Sequence, residues 1–422
     1  MRAAGAVLGA VFFLCYAYQF FYLIVPLLPV YRRRRRRERE EIPPDTGALR
    51  FAVLIAARNE AAVIGQLLDS LTAQDYRGAL TACVVADNCT DDTAPVARAR
   101  GAWVCERFDR RQVGKGYALD FLLRQLDEAM PDAFDAYLIL DADNLLEPDY
   151  VTQIDRTMRR DGYAVVTGYR ASKNFGDSWV SAGNALCFLR ECQQLDRARA
   201  ALGVSCTVSG TGFAVSRAVI ERLGGWPFHC LTEDAEFSAR MIAAGETIGY
   251  CADAVLYDEQ PVRFSLSCRQ RLRWIRGYFQ VLRSCGWPLV CGAARGSFSC
   301  FDLLCSIFPA FAVSLLTLAI DAAELIVRLV SGASLLPPIA ALGTGLLGLY
   351  ATVLLLGAAV LLSEWRRIAA PAGKKLMSLL TFPVFMLSYI PLAVIALFCR
   401  VEWRPIAHTR ALTLDTVGRV RK

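Results

Sequence analysis

Histidine is almost missing from this chain, two in 422 residues, and no two of its fifteen cysteines stand in a Cys-x-x-Cys pair. That removes the usual ligand spacing of a structural zinc site. Scattered singly along so long a chain, the cysteines also make no disulfide framework, and they read as reduced, small apolar side chains. Charge is scarce as well: charged residues are 21% against 55% hydrophobic, and mean hydropathy is +0.34. Such an apolar excess excludes a disordered or wholly soluble chain and calls for segments that lipid surrounds. Of the net charge of +7, the arginines at 32–37 supply six. The remaining excess gathers in a tail where Arg400, Arg404, Arg410, Arg419, Arg421 and Lys422 meet only Glu402 and Asp415. No broad basic face is left for nucleic acid.

What is present is first of all a set of long uncharged runs. Residues 3–30 carry no charge and end at the arginine run, the pattern of a retained spanning helix with a cytosolic stop, which gives a transmembrane segment at 1–31 and a basic linker at 32–48. A cleaved signal would have its basic residues before a shorter apolar stretch. A second apolar region, 301–399, suggests about three segments. Residues 303–320 end in Asp321, Glu324 and Arg328, as at an interface. Residues 329–363 would form a helix of roughly 52 Å, too long for a hydrocarbon core of about 30 Å, so a break is expected around Ser331 to Pro338. The last segment, 376–399, is interrupted by Pro383 and Pro391. Three full spans would carry the basic tail, 400–422, to the outer side, against its charge; a re-entrant or interfacial last segment would return it. The spans hold too few ionisable groups to mark an ion path, which weighs against a transporter.

Between these regions, residues 49–262 alternate in period. Short apolar runs at 51–56, 80–86, 102–105 and 136–140 are each followed by a polar turn, with helical patterns from about Glu60, Asp91 and Lys115. Repeated strand–helix units predict an α/β domain with a mostly parallel sheet, whose ligands collect at the carboxyl ends of the strands. Those ends hold Ala57-Arg58-Asn59-Glu60, Asp87 to Asp92, and Asp141-Ala142-Asp143. An Asp-x-Asp at a strand end can hold a hard divalent cation through oxygen and leave sites for a diphosphate, although the same residues also shape turns. Thr232-Glu233-Asp234 opens a helical pattern, where an N-cap and first-turn acids are a common structural use. Arg269 to Arg276 forms a basic amphipathic helix suited to an anionic leaflet, within an interfacial region at 263–300.

In this order and between membrane segments, Ala57 to Glu60, Asp87, Lys115, Asp141-Ala142-Asp143, Thr232-Glu233-Asp234 and Gln270-Arg271-Leu272-Arg273-Trp274 resemble the family 2 membrane glycosyltransferases, the group of the cellulose, hyaluronan and poly-N-acetylglucosamine synthases. The resemblance implies a GT-A (Rossmann-like) cytosolic domain and inverting transfer from a nucleotide-activated sugar, with UDP-N-acetylglucosamine or UDP-glucose as the expected donor. It assigns Ala57, Arg58, Glu60 and Asp87 to the nucleoside and Lys115 to the diphosphate, and sets Asp141 close to the donor. It makes Asp143 the ligand of Mg²⁺ or Mn²⁺ and Asp234 the general base. Glu233, Gln270, Arg273 and Trp274 would border the diphosphate and the acceptor. It also implies a bacterial inner membrane with the catalytic domain in the cytoplasm. Ala86 departs from the pattern, since many members carry an aspartate there, and Ser209-Gly210-Thr211-Gly212 leaves the acceptor unassigned. A growing polysaccharide is the expected acceptor, with single-sugar transfer to a membrane lipid as the alternative; a non-enzymatic nucleotide-sugar scaffold is a third reading.

Overall fold

The computed structural model describes residues 2–38, 40, 47–403, 405 and 410–417, without the side chains of 2–6, 8, 12–14, 16, 308–311 and 314. Parts of the linker at 41–46 and the tail residues Arg404, Arg419, Arg421 and Lys422 therefore lie outside the described residues, and the predicted N-terminal span does so in part.

Eight strands form one mixed sheet: β1 (Phe51–Ala57), β2 (Leu80–Asp87), β3 (Trp103–Arg107), β4 (Ala136–Asp141), β5 (Leu145–Leu146), β6 (Val165–Ser172), β7 (Phe213–Ser216) and β8 (Ile248–Asp258). Their order is β3-β2-β1-β4-β7-β6-β8-β5. Strands β1 to β4 pair in parallel, while β7 runs antiparallel to both β4 and β6. The chain winds away from β1 in both directions, so a crevice opens where β1 and β4 lie side by side. Register makes that crevice level, since Ala57 is opposite Ala86 and Ala56 opposite Asp141.

The near-continuous apolar runs follow from burial on both faces. Ala52 and Leu54 pack with Leu119, Leu122 and Phe213 on one side, and Phe51, Val53 and Ile55 pack with Ile64, Leu67 and Tyr150 on the other. The two rim turns each carry an asparagine in the left-handed region, Asn59 at φ 57° and Asn88 at φ 51°, a conformation asparagine tolerates better than most residues. Asn59 also accepts a hydrogen bond from the Thr90 main chain at 2.8 Å, which ties the two turns together.

Around this domain lie long helices: Arg2–Ile24, Pro29–Glu38, Phe264–Ala294, Phe298–Val330, Leu336–Glu364, Ala372–Leu387 and Tyr389–Phe398. The arginine run is helical and docks on the domain rather than hanging as a linker: Arg34 meets Asp161 at 2.8 Å, and Arg160 donates to the Glu38 carbonyl. Residues 331–335 break the long apolar run, and Pro337 and Pro338 then stand in the first turn of the next helix, where proline leaves no hydrogen bond unmade. In the last segment the break falls at Ser388, and Pro383 sits inside a helix.

Among the described residues two segments are long and apolar enough to cross a membrane, Leu336–Glu364 and Ala372–Phe398, with mean hydropathies of 2.3 and 2.1. The first presents exposed leucines, among them Leu347 and Leu355, far more apolar surface than a soluble helix leaves uncovered. The second touches the α/β domain at both ends. Lys374 donates to the Gly176 carbonyl at its start, and beyond its end the Arg58 guanidinium lies 5.4 Å from the Trp403 ring. Arg410 then pairs with Asp177 at 2.7 Å, so the described part of the tail lies against the α/β domain.

Candidate active site

Every residue nominated from the sequence lines one cavity of about 630 Å³ at the carboxyl rim of the sheet. Asp141 ends β4, and its main-chain N–H donates to Thr211 at 2.9 Å and Asn144 at 3.1 Å. Its carboxylate receives the Lys115 ammonium, which also donates to the Gly210 carbonyl at 2.7 Å. Lys115 is the first residue of the helix Lys115–Ala129. Burial opposes its charge, but Asp141, Glu233 and Asp234 outweigh that and hold its pKa above the ordinary value.

Asp143 is buried, and its carboxylate accepts the Glu259 main-chain N–H at 3.0 Å. Beside it Asp258 ends β8, gripped by Arg170 and by Gln260 at 2.7 Å. Burial pushes Asp258 up to about 6, Arg170 opposes the shift, and the charges of Asp143 and Asp141 add to it. Negative charge is therefore concentrated at the Asp-x-Asp turn. Among the described residues no three carboxylate, thiol or imidazole groups gather as a metal cage. Two hard carboxylates nevertheless suit Mg²⁺ or Mn²⁺, since Mg²⁺ is usually held by one or two carboxylates together with substrate phosphates and water.

Asp234 lines the same cavity as this turn. It lies in the first turn of the helix Glu233–Ala243, and a Cβ built on Gly210 would stand 3.6 Å from its Oδ2. Thr232 occupies the N-cap position, yet its side chain caps nothing. Burial, reinforced by Asp234, pushes Glu233 up to about 7. Burial raises Asp234 as well, against the Ala235 N–H, Lys115 and Arg273. The two acids thus interact, each held above its ordinary carboxyl range.

The helix Phe264–Ala294 fixes that pair from above. Arg273 donates to the Leu231 carbonyl at 3.3 Å, and Gln280 accepts the Leu231 N–H at 2.9 Å. Gly277 admits Thr232 so closely that any Cβ there would meet its Oγ1 at 2.3 Å. Trp274 packs edge-on against Phe188, and the buried Oε1 of Gln270 has no hydrogen-bond partner among the described residues. The basic face expected to lie on lipid is spent largely inside the protein. Arg271 is fully buried against Phe385 and Ser388, and Arg276 donates to the Ala396 carbonyl.

Where β2 and β3 end, Asp87 is buried in an ion pair with Arg107 at 2.7 Å. Sequence reasoning missed Arg107, Arg170, Asp258 and Glu191. Arg107 and Asp258 end strands β3 and β8, so the rule that ligands collect at strand ends would have found both. Arg170 and Glu191 carry no such local signal.

A mixed sheet with a level crevice, an acidic turn at its switch point and an acid pair in the same cavity defines a GT-A-type sugar-transfer domain. Residues 48–277 match the model of the family described as "Glycosyltransferase like family 2", and the chain belongs to that family. Among its curated relatives, the probable glycosyltransferase YdaM of Bacillus subtilis is 29% identical over 244 residues, 54% of this chain and 55% of the relative. An N-acetylglucosaminyltransferase of Rhizobium leguminosarum bv. viciae is 25% identical over 54% of this chain and 55% of its own length. A beta-monoglucosyldiacylglycerol synthase of Synechocystis is 26% identical over 61% and 55%. The chain spans about half the length of these relatives. In fold it is similar to the mannosyltransferase PcManGT of Pyrobaculum calidifontis, solved with GDP-Man and Mn²⁺, at a TM-score of 0.57 and 21% identity over 93% of this chain and 99% of that one.

Proposed function

We propose that this protein is a glycosyltransferase that moves a sugar from a nucleoside diphosphate to an acceptor hydroxyl with inversion, Asp234 serving as the general base. The observation that carries the reading is the meeting of two groups in one cavity: the Asp141–Asp143 turn with its partner Lys115, and the Glu233–Asp234 pair. As the acceptor oxygen bonds to the anomeric carbon, Asp234 takes its proton and the diphosphate leaves on the opposite side. Lys115 and Arg273 meet the charge that grows on the leaving group, so they act more strongly in the transition state than before it. A raised carboxyl pKa brings the base closer to the working pH, where general-base catalysis is most effective. A divalent ion held by Asp143, beside Asp141, supplies a Lewis acid for the diphosphate. Ala57, Arg58, Glu60 and Asp87 border the nucleoside, while Gln270 and Trp274 border the acceptor.

UDP-N-acetylglucosamine and UDP-glucose are the first donors to test. The acceptor is a growing polysaccharide or a membrane lipid, and the names of curated relatives support each. The apolar helices support an integral membrane protein, with the α/β domain at the cytoplasmic face of a bacterial inner membrane. The contacts at both ends of Ala372–Phe398 support a re-entrant last segment, in keeping with the charge of the tail. Purified protein in nanodiscs, with Mg²⁺ or Mn²⁺ and a panel of UDP- and GDP-sugars, tests the reading through the product's anomeric configuration by NMR. A β-linkage from an α-linked donor is expected; retention of configuration overturns it.

A further inference from the structure

The cavity does not end at the carboxylates. It continues between the helices Phe298–Val330, Leu336–Glu364 and Ala372–Phe398, where Leu315, Leu349, Val353, Phe382, Ile390 and Ala393 line it. These side chains offer no hydrogen bond, and two of the three helices are the segments apolar enough to cross a membrane. A sugar chain threaded there would leave hydroxyls unpaired at about 1–3 kcal/mol each. An acyl chain moving in from a bilayer exchanges one apolar surrounding for another and meets no such cost.

Between the apolar end and the acid pair lies a polar ring. Arg190 and Glu191 belong to a π-helical turn, Arg190–Asp196, a rare element that recurs at functional sites. Arg190 donates to Gln19 of the N-terminal helix at 2.9 Å, and Glu191 accepts from Thr207 at 3.2 Å. Glu191 is also close enough to Asp234 for the two charges to repel. Arg199 pairs with Asp196 and Asp302 and Arg170 with Asp258, while Arg190, Arg273 and Lys115 also line the cavity. A phosphate head would need no base to free a nucleophilic oxygen, and Asp234 in the same cavity would then have no proton to take. A neutral hydroxyl needs that base.

We propose that the acceptor is a neutral, hydroxyl-headed lipid, its acyl chain lying between the apolar helices and its hydroxyl delivered past Glu191 to Asp234. The inference rests on the transferase reading above. The test uses the full chain in phosphatidylcholine nanodiscs with labelled donor, comparing no addition, dioleoylglycerol, glycerol and a polyprenyl phosphate. Labelled, solvent-extractable glycolipid is expected with dioleoylglycerol and little or nothing with glycerol, whose head is the same but which lacks the chains. Leu349→Trp, which fills the apolar end, should cut lipid transfer at least about tenfold while donor binding, measured separately, stays unchanged. Because the glycerol comparison needs no substitution, it decides even if that variant folds poorly.

Soluble high-mass glycan formed regardless of dioleoylglycerol, or glycerol accepted as well as dioleoylglycerol, overturns the proposal and leaves the transferase reading standing. Preference for polyprenyl phosphate overturns the neutral head. Absence of transfer from every donor to every acceptor overturns the reading beneath it, and this inference with it.

Discussion

Replacing Gly277 with alanine should separate catalysis from stability. A Cβ there would lie 2.3 Å from Thr232 Oγ1, 2.5 Å from its Cγ2 and 2.9 Å from its Cβ. Ordinary contact between carbon atoms is about 3.5–4.0 Å, so the gap must open by roughly 1 Å. Turning one rotamer cannot supply that, because Thr232 is β-branched and all three of its close atoms are involved. Either the helix Phe264–Ala294 recedes or the turn before Glu233 shifts. Alanine gains about 1 kcal/mol over glycine inside a helix, and overpacking costs about 1–3 kcal/mol, so the net loss of stability is about 0–2 kcal/mol. Catalysis is less forgiving: a displacement of about 1 Å at a positioned group can cost about a hundredfold. Gly286→Ala is the control, since on the same helix its Cβ would meet nothing nearer than Leu282 at 3.9 Å. Nucleotide release and thermal melting, measured together, should show Gly277→Ala nearly as stable as the parent but crippled in kcat, with Gly286→Ala active. Full turnover in Gly277→Ala would refute the argument that this helix sets the position of Asp234.

Three further predictions concern charge and topology. Burial and the Asp234 charge push Glu233 from an ordinary 4.5 up to about 7, and burial raises Asp234 beside it; kcat/KM should therefore fall on acidification at a higher pH than an ordinary aspartate would give, and Glu233→Gln should move that limb downward. Because the folded state holds the extra proton between those two values, rising pH across the window lowers stability while it raises activity, and chemical denaturation at several pH values checks the sign. Arg107→Met would strand the buried carboxylate of Asp87, at a cost of about 3–5 kcal/mol in a denaturant melt, with donor KM rising more than kcat falls. A cysteine introduced as Asp415→Cys, with the exposed Cys399 replaced by serine, should react with an impermeant thiol reagent only from the face that carries the α/β domain.

The parallel half of the fold was legible because its strands are buried on both faces and each ends in a polar turn. Phe51–Ala57, Leu80–Asp87 and Ala136–Asp141 begin and end within a residue or so of the apolar runs. The antiparallel strand Phe213–Ser216 was not, since four residues carry no period of their own and are held by β4 and β6 from distant parts of the chain. Composition likewise could not tell that Arg271 and Arg276 turn inward. A basic helix has the same sequence whether its arginines meet lipid headgroups or the carbonyls of Phe385 and Ala396, and only the packing of the last segment against this helix decides it. Site residues that end a strand could be nominated from the sequence. Glu191 could not, because its position depends on a π-helical turn with no known sequence mark.

The central claim is that Asp234 is the base, and Asp234→Asn tests it most directly. The substitution keeps the shape of the side chain over Gly210 and removes its ability to take a proton. With the donor that the parent protein turns over, nucleotide binding should persist while release falls by about 10²–10⁴-fold, the usual worth of a general base. Release within a few-fold of the parent, with the anomeric outcome unchanged, would contradict the account.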